Sequence, residues 1–118
     1  MVHLYYPATK LISKKNRMKV TRGGRCYKPA AIKAFEKLVA YGATGAYDGS
    51  PSTKNLKMTL DVTFGDRRSR DLQNCYDCIC DALEGIIYIN DNQITELVGK
   101  KSYQKGVWEF RIIIEEIA

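Results

Sequence analysis

Hydrophobic and polar residues alternate most regularly between residues 56 and 64. The apolar positions are Leu56, Met58, Leu60, Val62 and Phe64, each followed by one polar or charged residue up to Phe64. A period of two is typical of a half-buried strand, because successive side chains point to opposite faces of the sheet. The segment therefore predicts a strand that places one face in the core.

The pattern changes to a helical period just after this strand. Apolar side chains recur at steps of three and four from Leu72 to Ile86, which predicts an amphipathic helix over residues 71–84. Asp71 stands where a carboxylate can cap the first amides, and Gly85 ends the helix. Gln73, Asp77 and Asp81 follow one another at i, i+4 and form a polar line roughly opposite the apolar stripe.

The remaining segments predict an α+β domain. Strands are expected at residues 2–6, 86–89, 94–101 and 107–117, with the last two joined as a hairpin through residues 102–106. A second main helix is expected from Pro29 to Gly42. Residues 8–28 form a basic loop and residues 42–55 a linker-like loop. The chain is expected to be a single domain over residues 1–118, with a mixed or antiparallel sheet.

The net charge of the chain indicates what kind of partner it binds. The 118 residues carry a formal net charge of +6, which favours a polyanion such as DNA. The candidate DNA-binding residues lie in the basic loop and before the 71–84 helix: Lys10, Lys14, Lys15, Arg17, Lys19, Arg22, Arg25, Arg67 and Arg68. A solvated loop is the alternative for each loop residue. No apolar run is long enough for a membrane span, so the expected location is the cytoplasm, of a host cell if the source is viral.

The spacing of the cysteines suggests a second interpretation, a zinc site. Cys75-x-x-Cys78 has a spacing used by zinc sites, and Cys26, Cys80 or His3 could complete four ligands. The sequence contains no second pair, and Cys75 and Cys78 fall largely on the buried side of the helix. Small core residues are therefore the favoured interpretation, with a zinc module as a further alternative.

Carboxylates among arginines are the most specific chemical feature of the chain. Asp71 follows Arg67, Arg68 and Arg70. A second acidic residue, Asp91, comes about one helix length later in the sequence. Such a set is used either in a salt-bridge lattice or in a site where Mg²⁺ faces a phosphate. Oxygen ligands from two separate elements are typical of Mg²⁺, which completes its octahedron with water and phosphate oxygens.

Three short motifs resemble one known family. They are Arg70-Asp71-Leu72-Gln73-Asn74, Asp81-Ala82-Leu83-Glu84-Gly85 and Tyr88-Ile89-Asn90-Asp91-Asn92-Gln93-Ile94. Together they resemble the signature of the RusA-type Holliday junction resolvases, over roughly residues 64 to 95. The resemblance implies a homodimeric endonuclease, dependent on Mg²⁺ or Mn²⁺, that resolves branched DNA with four arms by paired nicks. Tyr88, Trp108 and the last strand are candidates for the interface of such a dimer.

The resemblance also implies a set of site residues. The family's metal carboxylates fall on Asp71, Gln73 and Asp91, and its catalytic lysine falls on Asp77. Gln73 offers only a neutral carbonyl, so one hypothesis moves the missing carboxylate to Asp77, one helical turn further on. Arg70 is expected to orient the phosphate, which makes Asp71, Asp77, Asp91 and Arg70 the catalytic candidates. The alternative is an impaired relative that binds branched DNA without cleaving it.

Overall fold

The computed structural model describes residues 1–11, 19–20, 23–24, 26–27, 30–68 and 72–117, of which residues 19, 20, 26, 27 and 74 are described by their backbone alone. Strand β1 spans Val2–Tyr6, and a short antiparallel pair follows, β2 (Lys19–Val20) with β3 (Cys26–Tyr27). The other elements are α1 (Ala30–Ala46), β4 (Leu56–Phe64), α2 (Leu72–Leu83), a 3₁₀ turn (Asp91–Gln93), β5 (Ile94–Tyr103) and β6 (Glu109–Glu116).

Four strands form one mixed sheet in the order β1-β6-β4-β5. Strand β4 pairs in parallel with β5 and antiparallel with β6, while β1 pairs antiparallel with β6. The parallel pair is linked through α2, as parallel strands require a crossover connection. The predicted α+β class, with two main helices and a mixed sheet, is confirmed.

The core lies between one face of the sheet and the two helices. Every second residue of β4, from Leu56 to Phe64, is buried, and Phe110, Ile112 and Ile114 of β6 continue the same apolar face. Helix α1 contributes Ile32, Phe35, Val39 and Ala43, and α2 contributes Cys75, Cys78, Ile79, Ala82 and Leu83. None of the described helices is long and apolar enough to cross a membrane.

The predicted hairpin between the last two strands is wrong. Strand β4 lies between β5 and β6, and the connection between them passes over the carboxyl end of β4. There, the Gln104 N–H donates to the Phe64 carbonyl and the Gly106 N–H donates to the Gly65 carbonyl, both at 3.0 Å. A short loop with a glycine favours a hairpin locally, but the strongly apolar β4 takes the central position because it buries most there.

The predicted strand at residues 86–89 is also wrong. Those residues turn back against the end of α2, with Gly85 at a φ of +85° and isolated bridges from Tyr88 to Ser52 and Glu84. The Gly85 N–H donates to the Tyr88 carbonyl at 2.7 Å, and the Tyr88 hydroxyl donates to the Cys80 carbonyl at 2.7 Å. The apolar run therefore seals the end of the helix instead of joining the sheet.

Helix α1 continues four residues beyond its predicted end at Gly42. This glycine lies where the Tyr6 ring crosses the helix, and a β-carbon there would come within 2.8 Å of the Tyr6 side chain. The Tyr6 hydroxyl also donates to the Val39 carbonyl at 2.7 Å. Gly42 thus permits a close approach within the helix, and the expected loop at 42–55 begins later. Most of the basic loop at 8–28 lies outside the described residues, apart from its start and the β2–β3 pair.

Candidate functional site

The chain leaves β4 through a tight contact that fixes the start of the following loop. A side chain at Gly65 would collide with the indole nitrogen of Trp108, so glycine alone fits there. Trp108 in turn packs edge-on against Phe64, with ring centroids 6.5 Å apart. The loop that carries Arg67 and Arg68 is therefore anchored at the end of a buried strand.

Four cations gather at this end of the sheet, and we call Lys10, Arg67, Arg68 and Lys101 the cationic rim. The Lys10 ammonium lies 4.6 Å from the Trp108 ring, and the Arg67 guanidinium lies 4.7 Å from the Tyr103 ring. A cavity of about 470 Å³ opens between the strand ends and is lined by Phe64, Asp66, Arg67, Arg68, Lys101, Ser102 and Tyr103. All four cations are open to solvent and thus accessible to a phosphate backbone.

The other predicted DNA-binding residues belong to the basic loop at residues 8–28. Lys14, Lys15, Arg17, Arg22 and Arg25 lie outside the described residues, and Lys19 is described by its backbone alone. Tyr103 was not among the predicted site residues, and Lys101 was suggested only as a DNA contact at the tip of the predicted hairpin, together with Lys100 and Lys105. No local signal could have placed Lys101 and Tyr103 beside Arg67, because they reach it only through the parallel pairing of β4 with β5.

Helix α2 begins over the middle of β5. A β-carbon built on Gly99 would lie 3.1 Å from Leu72 Cδ1, so Gly99 lets the first turn of the helix approach the sheet. Asp71 and Arg70, which directly precede this turn, lie outside the described residues. Beside the turn, a hollow of about 200 Å³ is lined by Leu60, Leu72, Gln73, Tyr76, Leu97 and Gly99.

Asp77 and Asp91 act on the same pair of groups. Both groups belong to α2 itself: Tyr76 is half-buried and Cys80 is buried. Burial raises the pKa of Tyr76, helped by its hydrogen bond to Cys80 and by the charges of Asp91 and Asp77. Burial also raises the pKa of Cys80 to about 11, with the same two carboxylates adding to the shift. Two predicted metal ligands from separate elements therefore both lie near Tyr76, which lines the hollow together with Gln73.

Asp91 is held by a turn in which the side-chain amide of Gln93 uses its full hydrogen-bonding capacity. Gln93 Oε1 accepts from the N–H groups of Ile89 and Asn90, each at 2.9 Å. Its Nε2 donates to the carbonyls of Ser52 at 2.8 Å and Lys54 at 2.9 Å. An amide has two donors and two acceptor positions, so every one is satisfied. Gln93 thereby ties the loop before Asp91 to the segment that enters β4.

Sequence reasoning placed Gln93 in a motif but gave it no role. A signal was present, because Asn90-x-x-Gln93 has the spacing of a capping box. The structure contains that box, with Asn90 Oδ1 accepting from the Asn92 N–H at 2.9 Å. The bonds from Gln93 to residues 52 and 54 span about forty positions and had no sequence signal.

The predicted polar line on α2 divides between two surfaces. Gln73 borders the hollow over β5, whereas Asp81 borders a groove between α1 and α2 that is also lined by Lys33, Glu36, Lys37 and Glu84. A helix turns 100° per residue, so each step of four positions rotates the line by about 40°. Asp81 is therefore an acidic residue of the same helix that does not belong to the candidate site.

The donor chemistry around the hollow suits a hard divalent cation. Gln73 at the hollow offers a carbonyl oxygen, and Asp77 and Asp91, which lie near Tyr76, offer carboxylates. Within the described ranges, which exclude Asp71, no three His, Cys, Asp or Glu side chains converge as a metal-binding group. Cys75, Cys78 and Cys80 are buried, and the first two belong to the hydrophobic core cluster. Their positions fit small core residues rather than zinc ligands.

An exposed cationic rim at one end of the sheet, together with the carboxylate and amide oxygens of α2 and the Asp91 turn, suits a protein that binds the phosphodiesters of nucleic acids. Comparison with known proteins gives the family. The family model of the endodeoxyribonuclease RusA matches residues 7–115. The crossover junction endodeoxyribonuclease RusA of Aquifex aeolicus (strain VF5) is 27% identical over 97 residues, covering 80% of this chain and 76% of that relative. The chain belongs to the RusA family, and its predicted enzyme class, an endodeoxyribonuclease, is confirmed at that level.

Proposed function

We propose that this chain is a structure-specific endodeoxyribonuclease that depends on a divalent metal and resolves four-way (Holliday) DNA junctions by paired nicks. The observation that carries the proposal is that Asp77 and Asp91, from separate elements, both approach Tyr76, which lines a hollow together with Gln73. The RusA family match and the junction-specific name of the Aquifex relative support the substrate. The proposed location is the cytoplasm, of the host cell if the source is viral.

The proposed metal ligands are Asp71, Gln73, Asp77 and Asp91, and the proposed ion is Mg²⁺ or Mn²⁺. When bound, such an ion polarises the phosphate, lowers the pKa of a bound water and stabilises the leaving oxygen. Arg70 is proposed to orient the scissile phosphate through charge-assisted hydrogen bonds. The cationic rim would hold the flanking backbone, since contacts to phosphates fix the position of a protein on DNA.

The proposed active form is a homodimer. A four-way junction has arms related by a two-fold axis, and paired nicks require two sites that face one junction. A closed two-fold dimer is the simplest assembly that presents two identical sites in this way.

A second candidate is an impaired relative that binds branched DNA without cleaving it. Two departures from the family motif favour it: Gln73 has no charge, and Asp77 reverses the charge of the family's lysine. The two candidates differ in their response to metal. An enzyme needs the divalent cation for turnover, whereas a binder shows only the salt dependence of phosphate contacts.

The test is a denaturing-gel assay on a labelled four-way junction and a matched linear duplex, each with Mg²⁺ and with a chelator. We expect symmetric nicks in the junction alone and only with Mg²⁺. Asp71→Asn and Asp77→Asn should each lower the nicking rate by roughly 100-fold or more, since loss of an outer partner already lowers activity by about 10- to 100-fold.

Asp81→Asn is the matched control, because it removes a carboxylate of the same helix that borders the groove between α1 and α2 and not the hollow. Its nicking rate should stay close to that of the unaltered protein. If Asp77→Asn nicks normally while Asp71→Asn does not, Asp77 is not the relocated ligand. Junction binding without nicks under all metal conditions would support the second candidate instead.

A further inference from the structure

Strand β5 is an open edge of the sheet. It pairs with β4 along its length, from Ile94 to Tyr103, and no other strand of the described residues lies on its far side. Most of its side chains are exposed, including Leu97 at 44%. An edge of ten residues presents a row of unused backbone donors and acceptors, and natural proteins usually cover or blunt such an edge.

The elements that the sequence suggested for a dimer interface are poor candidates by comparison. Strand β6 is paired on both sides, by β1 and β4, and its Ile112 and Ile114 are fully buried. Tyr88 is also fully buried. The other edge strand, β1, has only five residues. Strand β5 is therefore the edge with the greatest capacity to pair with another chain.

We propose that a second copy of this chain pairs with β5 in antiparallel register about a two-fold axis at Val98. The charges along the strand select this register. With Val98 opposite the partner's Val98, Glu96 lies opposite the partner's Lys100, and symmetry repeats that pair on the other side of the axis. Opposite charges on facing positions of an antiparallel pair are stabilising, and like charges are not. Moving the axis to Leu97, Gly99 or Lys100 removes both pairs.

The neighbouring strand extends the same charge pattern. Within one protomer, Glu96 stands beside Lys57 of β4, and Lys100 stands beside Asp61. Across the proposed interface, the row therefore reads Lys57, Glu96, the partner's Lys100 and the partner's Asp61, with the sign alternating at every step. Both ends of β5 complete such a row, so the complementarity is two-fold symmetric, as a dimer of identical chains requires.

The helix-covered side of β5 supports the same register. Leu97 and Gly99 point to that side, since they pair with Met58 and Leu60 of the core face. The proposed register places the partner's Leu97 opposite Gly99, beside the Leu72 side chain that packs over this glycine. That position borders the hollow lined by Leu72, Gln73 and Tyr76. The partner's Leu97 would thus bury its exposed surface against the wall of the candidate site.

The geometry gives the dimer a functional consequence, which rests on the proposed function. A two-fold axis perpendicular to a sheet keeps both helical layers on one side. The resulting eight-stranded sheet would carry the two α2 helices, and therefore both candidate sites, on a single surface. Paired nicks in one junction require such an arrangement.

Cysteine cross-linking tests the register directly. In a Cys26→Ser background, Val98→Cys places two thiols at the axis. Facing Cα atoms lie about 4.5–5.5 Å apart in antiparallel strands, within the range of about 4.4–6.8 Å that a disulfide accepts. We expect rapid oxidation to a covalent dimer without DNA. His3→Cys, exposed on the other edge strand, is the matched control and should stay monomeric on a non-reducing gel. Failure of Val98→Cys to cross-link faster than His3→Cys would overturn the register.

Charge reversal supplies a second, independent readout. Glu96→Lys or Lys100→Glu alone should weaken dimerisation by about tenfold or more in sedimentation equilibrium, since two facing pairs change from attraction to repulsion. The double variant restores opposite charges across the interface and should recover much of the affinity. Equal dimerisation by all three variants, or a monomeric unaltered protein, would contradict the proposal.

The outcomes separate this inference from the proposed function. Cross-linking at Val98 in a protein that does not nick junctions would support the interface and reject the nuclease activity. Normal junction nicking by a protein that dimerises but does not cross-link at Val98 would support the activity and reject this interface.

Discussion

The turn that carries Asp91 and the loop that carries Arg67 both adjoin strands of the same sheet, but they are built differently. Four hydrogen bonds of one amide, that of Gln93, join the residues before Asp91 to the segment that enters β4. The loop after β4 contains a 3.1 Å hydrogen bond from the Arg68 N–H to Asp66 Oδ1, and Arg67 stacks on Tyr103, which is 42% exposed. The Asp91 turn is therefore fixed by tertiary hydrogen bonds, whereas the Arg67 loop is anchored where it leaves β4 and is exposed to solvent beyond that point.

The difference matches what each region is proposed to bind. A metal ion requires its oxygen ligands at fixed distances and angles, and a supporting hydrogen bond keeps a ligand in place. A phosphate backbone varies in position, and a long arginine side chain can follow it because its charge is delocalised and its donors are many. The hydrogen bonds of Gln93 thus restrain the turn before Asp91, whereas the side chains of the cationic rim are exposed to solvent.

The largest effect that would test this contrast is expected from Gln93→Ala. The substitution leaves two backbone N–H groups and two carbonyls without their partner, so the free energy of unfolding should fall by about 1–3 kcal/mol. Because Asp91 loses its support, the affinity for Mg²⁺ should also fall by about 10- to 100-fold. Chemical denaturation and calorimetric titration of the metal measure the two effects.

Asn92→Ala is the control for the turn. Asn92 is exposed, and its contribution to the cap is a backbone N–H that alanine retains. We expect little change in either stability or metal affinity. A Gln93→Ala protein that is less stable but binds Mg²⁺ normally would show that the brace serves folding alone.

A smaller effect is expected from Arg67→Ala and Arg68→Ala. Each should weaken junction binding several-fold and reduce the slope of log K against log salt by about 1, since each removes one phosphate contact. Stability should change by less than about 0.5 kcal/mol, as is usual at exposed positions. Fluorescence anisotropy over a salt series measures the binding.

Arg111→Ala is the matched control for the rim. Arg111 is an exposed arginine on the sheet face away from the helices, where it stacks on Tyr5 at 4.1 Å. It should leave the salt slope unchanged. An equal reduction by Arg111→Ala would mean that net charge, and not the rim, controls binding.

The contrast between the two regions also explains how much the sequence could predict. The alternation in β4 and the helical period of α2 are local, and both elements were found within a residue or two. The pairing of β5 was not found, because a hairpin loop is a local signal and the insertion of β4 is not. The same pairing brings Lys101 and Tyr103 to the cavity that Arg67 lines, and no local signal predicts that approach.

The site was predicted to a different extent. Asp91 and Asp77 were named from motifs, and their roles stay predictions; what no motif could give is that both approach Tyr76 and Cys80. That proximity depends on residues 86–89 folding back on α2, where the sequence predicted a strand. Gln93 had a local capping signal, but its bonds to Ser52 and Lys54 follow from tertiary structure alone.

The last effect concerns pH and affects only the groups on and against α2. Burial raises the pKa of the Cys80 thiol from its ordinary value of 9.0 to about 11, and it also raises the pKa values of Tyr76 and Tyr88. The unfolded chain therefore loses these protons at lower pH than the folded chain does. The stability that these groups contribute is fully present below about pH 9 and should fall as pH rises from there towards 11, by up to about 1.4 kcal/mol per pH unit from the thiol alone. The two tyrosines, whose ordinary pKa is 10.0, add to the decline only above about pH 10.

Urea denaturation with a chelator, at intervals from pH 7.5 to 10.5, would measure this decline. Cys80→Ala removes the thiol and should make the decline less steep, whereas Arg67→Ala should leave its slope unchanged because that loop lies at the other end of the sheet. A free energy of unfolding that stays constant up to pH 10.5 would mean that the groups on and against α2 are open to water. The turn that carries Asp91 would then not lie against buried groups, and its contrast with the exposed cationic rim would be lost.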